Sequence, residues 1–268
     1  MSSNNSATFT KDNIDKYFNE LSKEYKRLGG RRTPVEIVLI GGAAIIENYG
    51  FRNMTTDIDA IIPAVGIMKE AINHIGDKFG LPNGWLNADF MKTSSYTPKL
   101  VSFSKPYKSF NQVLNVRIVS GEYLIAMKLK SGRQYKNDMS DIIGILAEHE
   151  KNKDPISFDM ITKAIEDIYG DWSSVDKKSV SFIKSVLDNG QFGKLYSAIR
   201  ENEKNIKSML IETEEKYPGV LDEKNLDYII ESAAKSEDKK SIKATLERLK
   251  KEKKARILRN RHFLCRNA

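Results

Sequence analysis

Apolar side chains recur along this chain at two spacings, and the alternation between them outlines its elements. Ile14, Tyr17, Phe18, Leu21 and Tyr25 fall on one helical stripe, so a helix is expected from about Asn13 to Leu28, capped by Thr10 or Asp12 and closed by Gly29-Gly30. Ahead of it, the polar stretch Met1 to Thr10 reads as disordered. Ile37 to Ile40 is a short β-branched run stopped by Gly41-Gly42, the pattern of a buried strand entering a tight turn. Ala43 to Tyr49 returns to helical spacing, Gly50 ends it, and TDIDAII (56–62) reads as a second strand broken by Pro63. Ile67 to Phe79 is an amphipathic helix, and LPNGWLNADF is a turn with a short helical start and a core Trp85. Lys99 to Ser104 and Gln112 to Val119 read as two strands, followed by helices over Glu122–Lys130 and about Asn137–Glu148.

From about Ser157 onward only helical periodicity remains, carried by Ile161, Ile165 and Ile168, then by Val180, Ile183, Val186 and Leu187, then by a long stretch from Phe192 to Thr213. The order predicts an α/β (α+β) chain: a domain over residues 10–150 with a small mixed sheet, and an all-helical C-terminal region over 151–268 ending in a basic tail.

Candidate chemistry concentrates in one stretch, VLIGGAAIIENYGFRNMTTDIDAII, residues 38–62. Side chains alternate along a strand, so Asp57 and Asp59 share a side while Ile58 takes the other. Two adjacent carboxylates repel unless a cation sits between them, which is the geometry of a divalent metal site. The glycine pair supplies a turn without Cβ atoms at a helix start, where backbone N–H groups and the helix dipole favour phosphate.

Gly41, Gly42 and Ala43, followed by Arg52, Thr55, Asp57, Ile58 and Asp59 in an R-x-x-T-x-D-I-D pattern, resemble the nucleotidyltransferases with a DNA-polymerase-β-like core, in particular the bacterial branch of AbiEii-like and MNT-like toxin–antitoxin proteins. Leu124, Ala126, Lys128, Leu129, Arg133, Asp138 and Asp141 match a second segment of that branch. The resemblance implies transfer of a nucleoside monophosphate from an NTP to a hydroxyl of RNA, for instance tRNA, or of a protein, within a toxin–antitoxin or phage-defence system. It implies Mg²⁺ on Asp57 and Asp59, with Asp57, Asp59, Lys128 and Asp141 as catalytic residues. Gly41, Gly42, Arg52, Thr55 or Thr56, and Lys128 would bind the nucleotide. Asp138 reads instead as part of a surface acid pair facing Arg133.

One departure opens alternatives. Relatives of this kind carry a third carboxylate on a later strand, where this chain has Asn115 and Arg117. Asp89 would have to fold back into the site, or two carboxylates suffice, or the protein is a non-catalytic antitoxin or regulatory binding module that kept the fold.

Composition narrows the partners. The chain has 268 residues, 40% hydrophobic and 30% charged, with no apolar stretch of membrane-spanning length and a polar start unlike a signal peptide. A single cysteine, Cys265, makes no internal disulfide, so a cytoplasmic location and no membrane partner are expected, and His74, His149 and His262 are too scattered for a zinc site. The net charge of +8 is a tail property: Lys239 to Arg266 holds 12 Lys/Arg and 2 Glu, leaving the rest near −2. The segment Lys239–Arg261, with a thin apolar stripe of Ile242, Leu246, Leu249 and Ile257, is either an RNA-binding tail or a solvated charged helix.

Overall fold

A computed structural model describes residues 7–62, 66–133, 136–222 and 225–235. Pro63 and the basic tail, including its expected helix, lie outside the described residues. The chain opens with α1 (Lys11–Arg27), whose N-cap Thr10 donates its backbone N–H to Asn13 Oδ1 at 2.9 Å. Ile14, Phe18, Leu21 and Tyr25 are buried along one face, as their spacing requires.

Five strands then form one mixed sheet, interleaved with helices. They are β1 (Val35–Leu39), β2 (Ile58–Ile61), β3 (Leu86–Asn87), β4 (Ser104–Phe110) and β5 (Leu114–Val119), in the order β3-β2-β1-β5-β4. β1 is antiparallel to β2 and parallel to β5; β2 and β3 are parallel, β4 and β5 antiparallel. Between β1 and β2 lies α2 (Gly41–Asn48), and between β2 and β3 lies α3 (Gly66–Phe79), which packs on α1. Helices α4 (Gly121–Ser131), α5 (Asp138–Lys151), α6 (Phe158–Tyr169), α7 (Lys177–Asn189), α8 (Phe192–Lys216) and α9 (Leu226–Lys235) follow. The fold is therefore the expected small mixed sheet followed by a helical region.

Two expectations are corrected. Lys99 to Ser104 is not a strand: Pro98–Val101 is a 3-10 turn, and the strand is β4, which begins at Ser104. Only Ser104 and Phe110 of β4 are buried, so its sequence SKPYKSF carries no apolar alternation. As an edge strand with one neighbour it tolerates Pro106, beside an irregularity in the pairing. Residues 7–10, at the end of the stretch expected to be disordered, are ordered as well. Phe9 is fully buried and pairs with Thr55, N–H to C=O at 2.7 Å and 2.9 Å in the two directions. Its ring stacks on the buried Trp85, with centroids 6.1 Å apart, so apolar burial fixes Phe9 against local polarity.

The described residues divide into two compact units: those up to Arg133 with Asp138–Ser197, and those from Ala198 onward with the short segment before Asp138. The second unit has its own small core of Leu210, Val220, Ile229 and Ile230. No helix among the described residues is long and apolar enough to cross a membrane.

Candidate active site

The buried strand β1 delivers the chain into Gly41, which adopts φ +56°, a left-handed conformation open to glycine at little cost. α2 starts there, earlier than Ala43, and its N-cap Ile40 has no side-chain acceptor for the first N–H groups, which leaves the helix start electropositive. A Cβ on Gly41 would sit 3.4 Å from Asp59 Oδ2, so the carboxylate lies directly against the turn. A Cβ on Gly42 would meet Thr55 Oγ1 at 2.6 Å and Arg52 Nη2 at 2.9 Å. The glycine pair, Arg52, Thr55 and Asp59 thus form one cluster.

β2 begins at Ile58, so Asp57 immediately precedes the strand rather than lying in it. The alternation still holds: Ile58 and Ala60 are fully buried, Asp59 is half-buried and Asp57 exposed. Thr55 is buried, and its hydroxyl donates to Asp57 Oδ1 at 3.4 Å, whereas Thr56 is exposed. The Phe9 pairing holds Thr55 at the entrance to this strand. Sequence reasoning missed Phe9, and its signal was a lone aromatic residue in a polar segment.

Register places the remaining candidates. Leu39 pairs with Ala60 on one side and Ile118 on the other, and paired residues share a face. Asp59, Asn115 and Arg117 therefore share the opposite face, and no acid of β5 joins Asp59. Arg117 instead donates from Nε to Ser104 Oγ at 2.8 Å and lies 3.7 Å from Glu36. Asp89 is not folded into the site: it is 73% exposed and paired with Lys92 at 2.7 Å.

Behind the turn runs a chain of charges that is buried at Lys128, Asp138 and Asp141 and reaches solvent at Arg133. Arg52 Nη1 donates to Asp141 Oδ2 at 2.7 Å, Lys128 Nζ lies 2.8 Å from the same oxygen and 3.0 Å from Asp138 Oδ1, and Arg133 Nε lies 3.0 Å from Asp138 Oδ2. Asp138 and Asp141 are 2% and 1% exposed, so Asp138 is paired with Arg133 as expected but is not part of a surface pair. Burial opposes ionisation of Asp138, yet the charges of Lys128 and Arg133 outweigh it and hold its carboxyl at about 2. Burial likewise opposes the charge on Lys128, and Asp141 and Asp138 overcome it, raising its pKa above the ordinary lysine value. Three cations, Arg52, Lys128 and Arg133, thus face the two carboxylates of α5. A further residue missed in the sequence is Gly144 on α5: a Cβ there would meet the Phe51 ring at 2.5 Å, so this glycine lets the loop carrying Arg52 approach α5.

Magnesium is commonly held by one or two carboxylates together with substrate phosphates. Asp57 and Asp59, all-oxygen donors beside an N–H-lined glycine turn, fit that demand; no set of three His, Cys, Asp or Glu side chains suited to a metal occurs among the described residues.

A strand, a glycine turn opening a helix, and a carboxylate strand, backed by a buried Lys–Asp pair, define a nucleotidyltransferase-type α/β core. A family model described as "Nucleotidyltransferase of unknown function (DUF6036)" matches residues 16–181, more than half the chain, and the protein belongs to that family. No curated protein and no solved structure matches the chain.

Proposed function

We propose that the protein transfers a nucleoside monophosphate from an NTP to an acceptor hydroxyl, releasing pyrophosphate. The observation that carries this reading is the contact of Gly41 and Gly42 with Asp59, Thr55 and Arg52, which puts phosphate-binding N–H groups, a carboxylate and a cation within a few ångströms. In this reading the α2 N-terminus and the Gly41–Gly42 backbone bind the triphosphate, and Thr55 steadies Asp57 by its hydroxyl. Thr56, which is exposed, is left to contact substrate at the rim. Arg52 turns one guanidinium nitrogen to Asp141 and presents the other to the turn, where its charge offsets that growing on the leaving pyrophosphate. Asp141 holds Arg52 in that pose, and Lys128 shares the same carboxylate oxygen. Mg²⁺ on Asp57 and Asp59, when bound, would supply Lewis-acid stabilisation of the phosphoryl oxygens.

The acceptor hydroxyl belongs, in this proposal, to RNA, for instance tRNA, or to a protein. A role in a toxin–antitoxin or phage-defence system follows from the resemblance of the two motif segments. A second reading, a non-catalytic antitoxin or regulatory module, is favoured by one observation: the β5 side chains that share the Asp59 face are Asn115 and Arg117.

Incubation with each α-labelled NTP, Mg²⁺ and total bacterial RNA or lysate separates the two. Transfer predicts label on RNA or protein that disappears in the Asp57→Ala, Asp59→Ala variant, whose fold is checked by circular dichroism because Asp59 is half-buried. NTP binding without any label transfer would favour the non-catalytic module.

A further inference from the structure

The last turn of α2 carries a buried acid. Glu47 is only 4% exposed, and its Oε1 has no hydrogen-bond partner among the described residues. Its Oε2 lies 2.6 Å from the Tyr107 hydroxyl oxygen, and the same hydroxyl lies 3.1 Å from Asp15 Oδ1. The pairing of β4 with β5 slips between Pro106 and Lys108, which leaves Tyr107 outside the register. An irregularity of this kind re-aims a side chain, here toward α2 and α1. Three elements, α1, α2 and β4, therefore meet at one row of three oxygens.

The number of protons in that row decides its state. A tyrosine hydroxyl has one proton to donate and lone pairs with which to accept. Standing between two carboxyl groups, it serves one of them as donor, and the other contact needs a proton of its own. Asp15 is the more exposed of the two, and its second oxygen is paired with Lys108 Nζ at 2.5 Å, the setting of an ionised carboxylate. Glu47 is the buried one, and as an anion it would leave charge on an oxygen that has no donor. Glu47 Oε2 is thus the atom that carries the extra proton: it donates to Tyr107, and Tyr107 donates to Asp15.

The charges around Glu47 act in the same direction. Burial has the largest influence and pushes its carboxyl up from the ordinary 4.5; the charge of Asp15 adds to this, against the Tyr107 hydroxyl and the cations Lys11 and Lys108. Lys11 is exposed, and its Nζ donates to the Glu47 backbone oxygen at 3.2 Å. Tyr107 keeps its own proton, because burial and the two neighbouring carboxyl groups raise its pKa.

We propose that Glu47, Tyr107 and Asp15 form a proton-dependent latch: a proton on Glu47 lets the row hold α2 against α1 and β4, and loss of that proton weakens the hold. On ionisation the Glu47 proton passes to water. Tyr107 then turns its single proton toward Glu47, so Asp15 loses its donor and two anions face one hydroxyl. The latch does not depend on the transfer reading, although the helix that it holds is the one that starts at Gly41. When α2 opens, Glu47 becomes solvated and titrates near the ordinary 4.5, whereas in the closed helix it holds its proton more tightly. The latch is therefore at full strength below about pH 4.5 and is lost as pH rises through the folded Glu47 value.

Two measurements on the full chain test this. NMR of the glutamate side-chain carboxyl carbons against pH, with Glu47 assigned through its own backbone, reads the proton directly. Glu47 is expected to titrate above the exposed glutamates. Its midpoint should move down in Asp15→Asn, which removes a like charge, and up in Lys11→Gln, which removes a cation; neither side chain is buried. Amide hydrogen exchange over residues 44–48 of α2 reads the hold. Glu47→Gln keeps a donor for Tyr107 and has no proton to lose. The ratio of its protection to that of the wild type is expected to be flat below about pH 4.5, to grow by up to about tenfold per pH unit above it, and to level off at the Glu47 midpoint. Titration of Glu47 together with the exposed glutamates, or a ratio that stays flat with pH, overturns the proposal. Saturating NTP with Mg²⁺ tests the transfer reading separately: if the glycine turn binds it, protection of α2 rises by the same factor in both proteins. No rise contradicts that reading, while the pH dependence of the ratio still decides the latch.

Discussion

Gly42 has a single demanding neighbourhood, and its replacement gives a direct prediction. Gly42→Ala puts a methyl group 2.6 Å from Thr55 Oγ1 and 2.9 Å from Arg52 Nη2, so both side chains must move away from the glycine turn. Alanine favours the helix by about 1 kcal/mol, so the variant should remain folded while NTP affinity, read by equilibrium binding, falls. Undiminished affinity would remove the turn from the phosphate site. Asp138 gives a prediction in pH. Its folded value of about 2 lies below the ordinary 3.8, so its stabilisation is present above about pH 4 and is lost as pH falls through about 2. The shift corresponds to about 2 kcal/mol. Denaturant titration of wild type and Asp138→Asn should show a gap of at least that size at pH 7 that narrows below pH 4. At this scale Gly41, Gly42, Arg52, Asp57 and Asp59 were legible because they are close in sequence and chemically distinctive. Phe9 and Gly144 were not, since one acts by burial and backbone pairing and the other by what its missing Cβ leaves free.

Among elements, α5 and the loop before β2 form the coupling that matters for the site. Phe51 seats on Gly144 while Arg52 reaches Asp141 one turn earlier on the same helix. Gly144→Ala would push the ring away, with an overpacking cost of about 1–3 kcal/mol, and should carry Arg52 off Asp141. A lower thermal midpoint with weakened NTP binding is expected; a lower midpoint with NTP affinity intact would uncouple the loop from the phosphate site. Apolar periodicity exposed β1, β2, β5 and most helices, because those segments bury one face or both. It concealed β4, whose interior is exposed, and β3, whose two paired residues are too few to show a period. Asp141 was recognised by its motif, but that both aspartates of α5 are buried needed the third dimension: helical spacing shows a shared face and leaves open what that face meets.

For the whole molecule, charge is the legible property and placement is not. The ten surplus positive charges between Lys239 and Arg266 lie outside the described residues, so their role is tested by removal. Truncation after Asp238 should weaken RNA binding and reduce the slope of log affinity against log salt, by roughly 0.7 for each single-strand phosphate that the tail neutralises. An unchanged slope would mark the tail as a solvated helix.

The central claim is that the bond broken lies between the α- and β-phosphates. The measurement that tests it most directly compares α- and γ-labelled samples of one NTP, incubated with the protein, Mg²⁺ and RNA or lysate. The account predicts label on the acceptor from the α position alone, with labelled pyrophosphate released from the γ position, and neither product with the Asp57→Ala, Asp59→Ala variant. Label transferred from the γ position would contradict it.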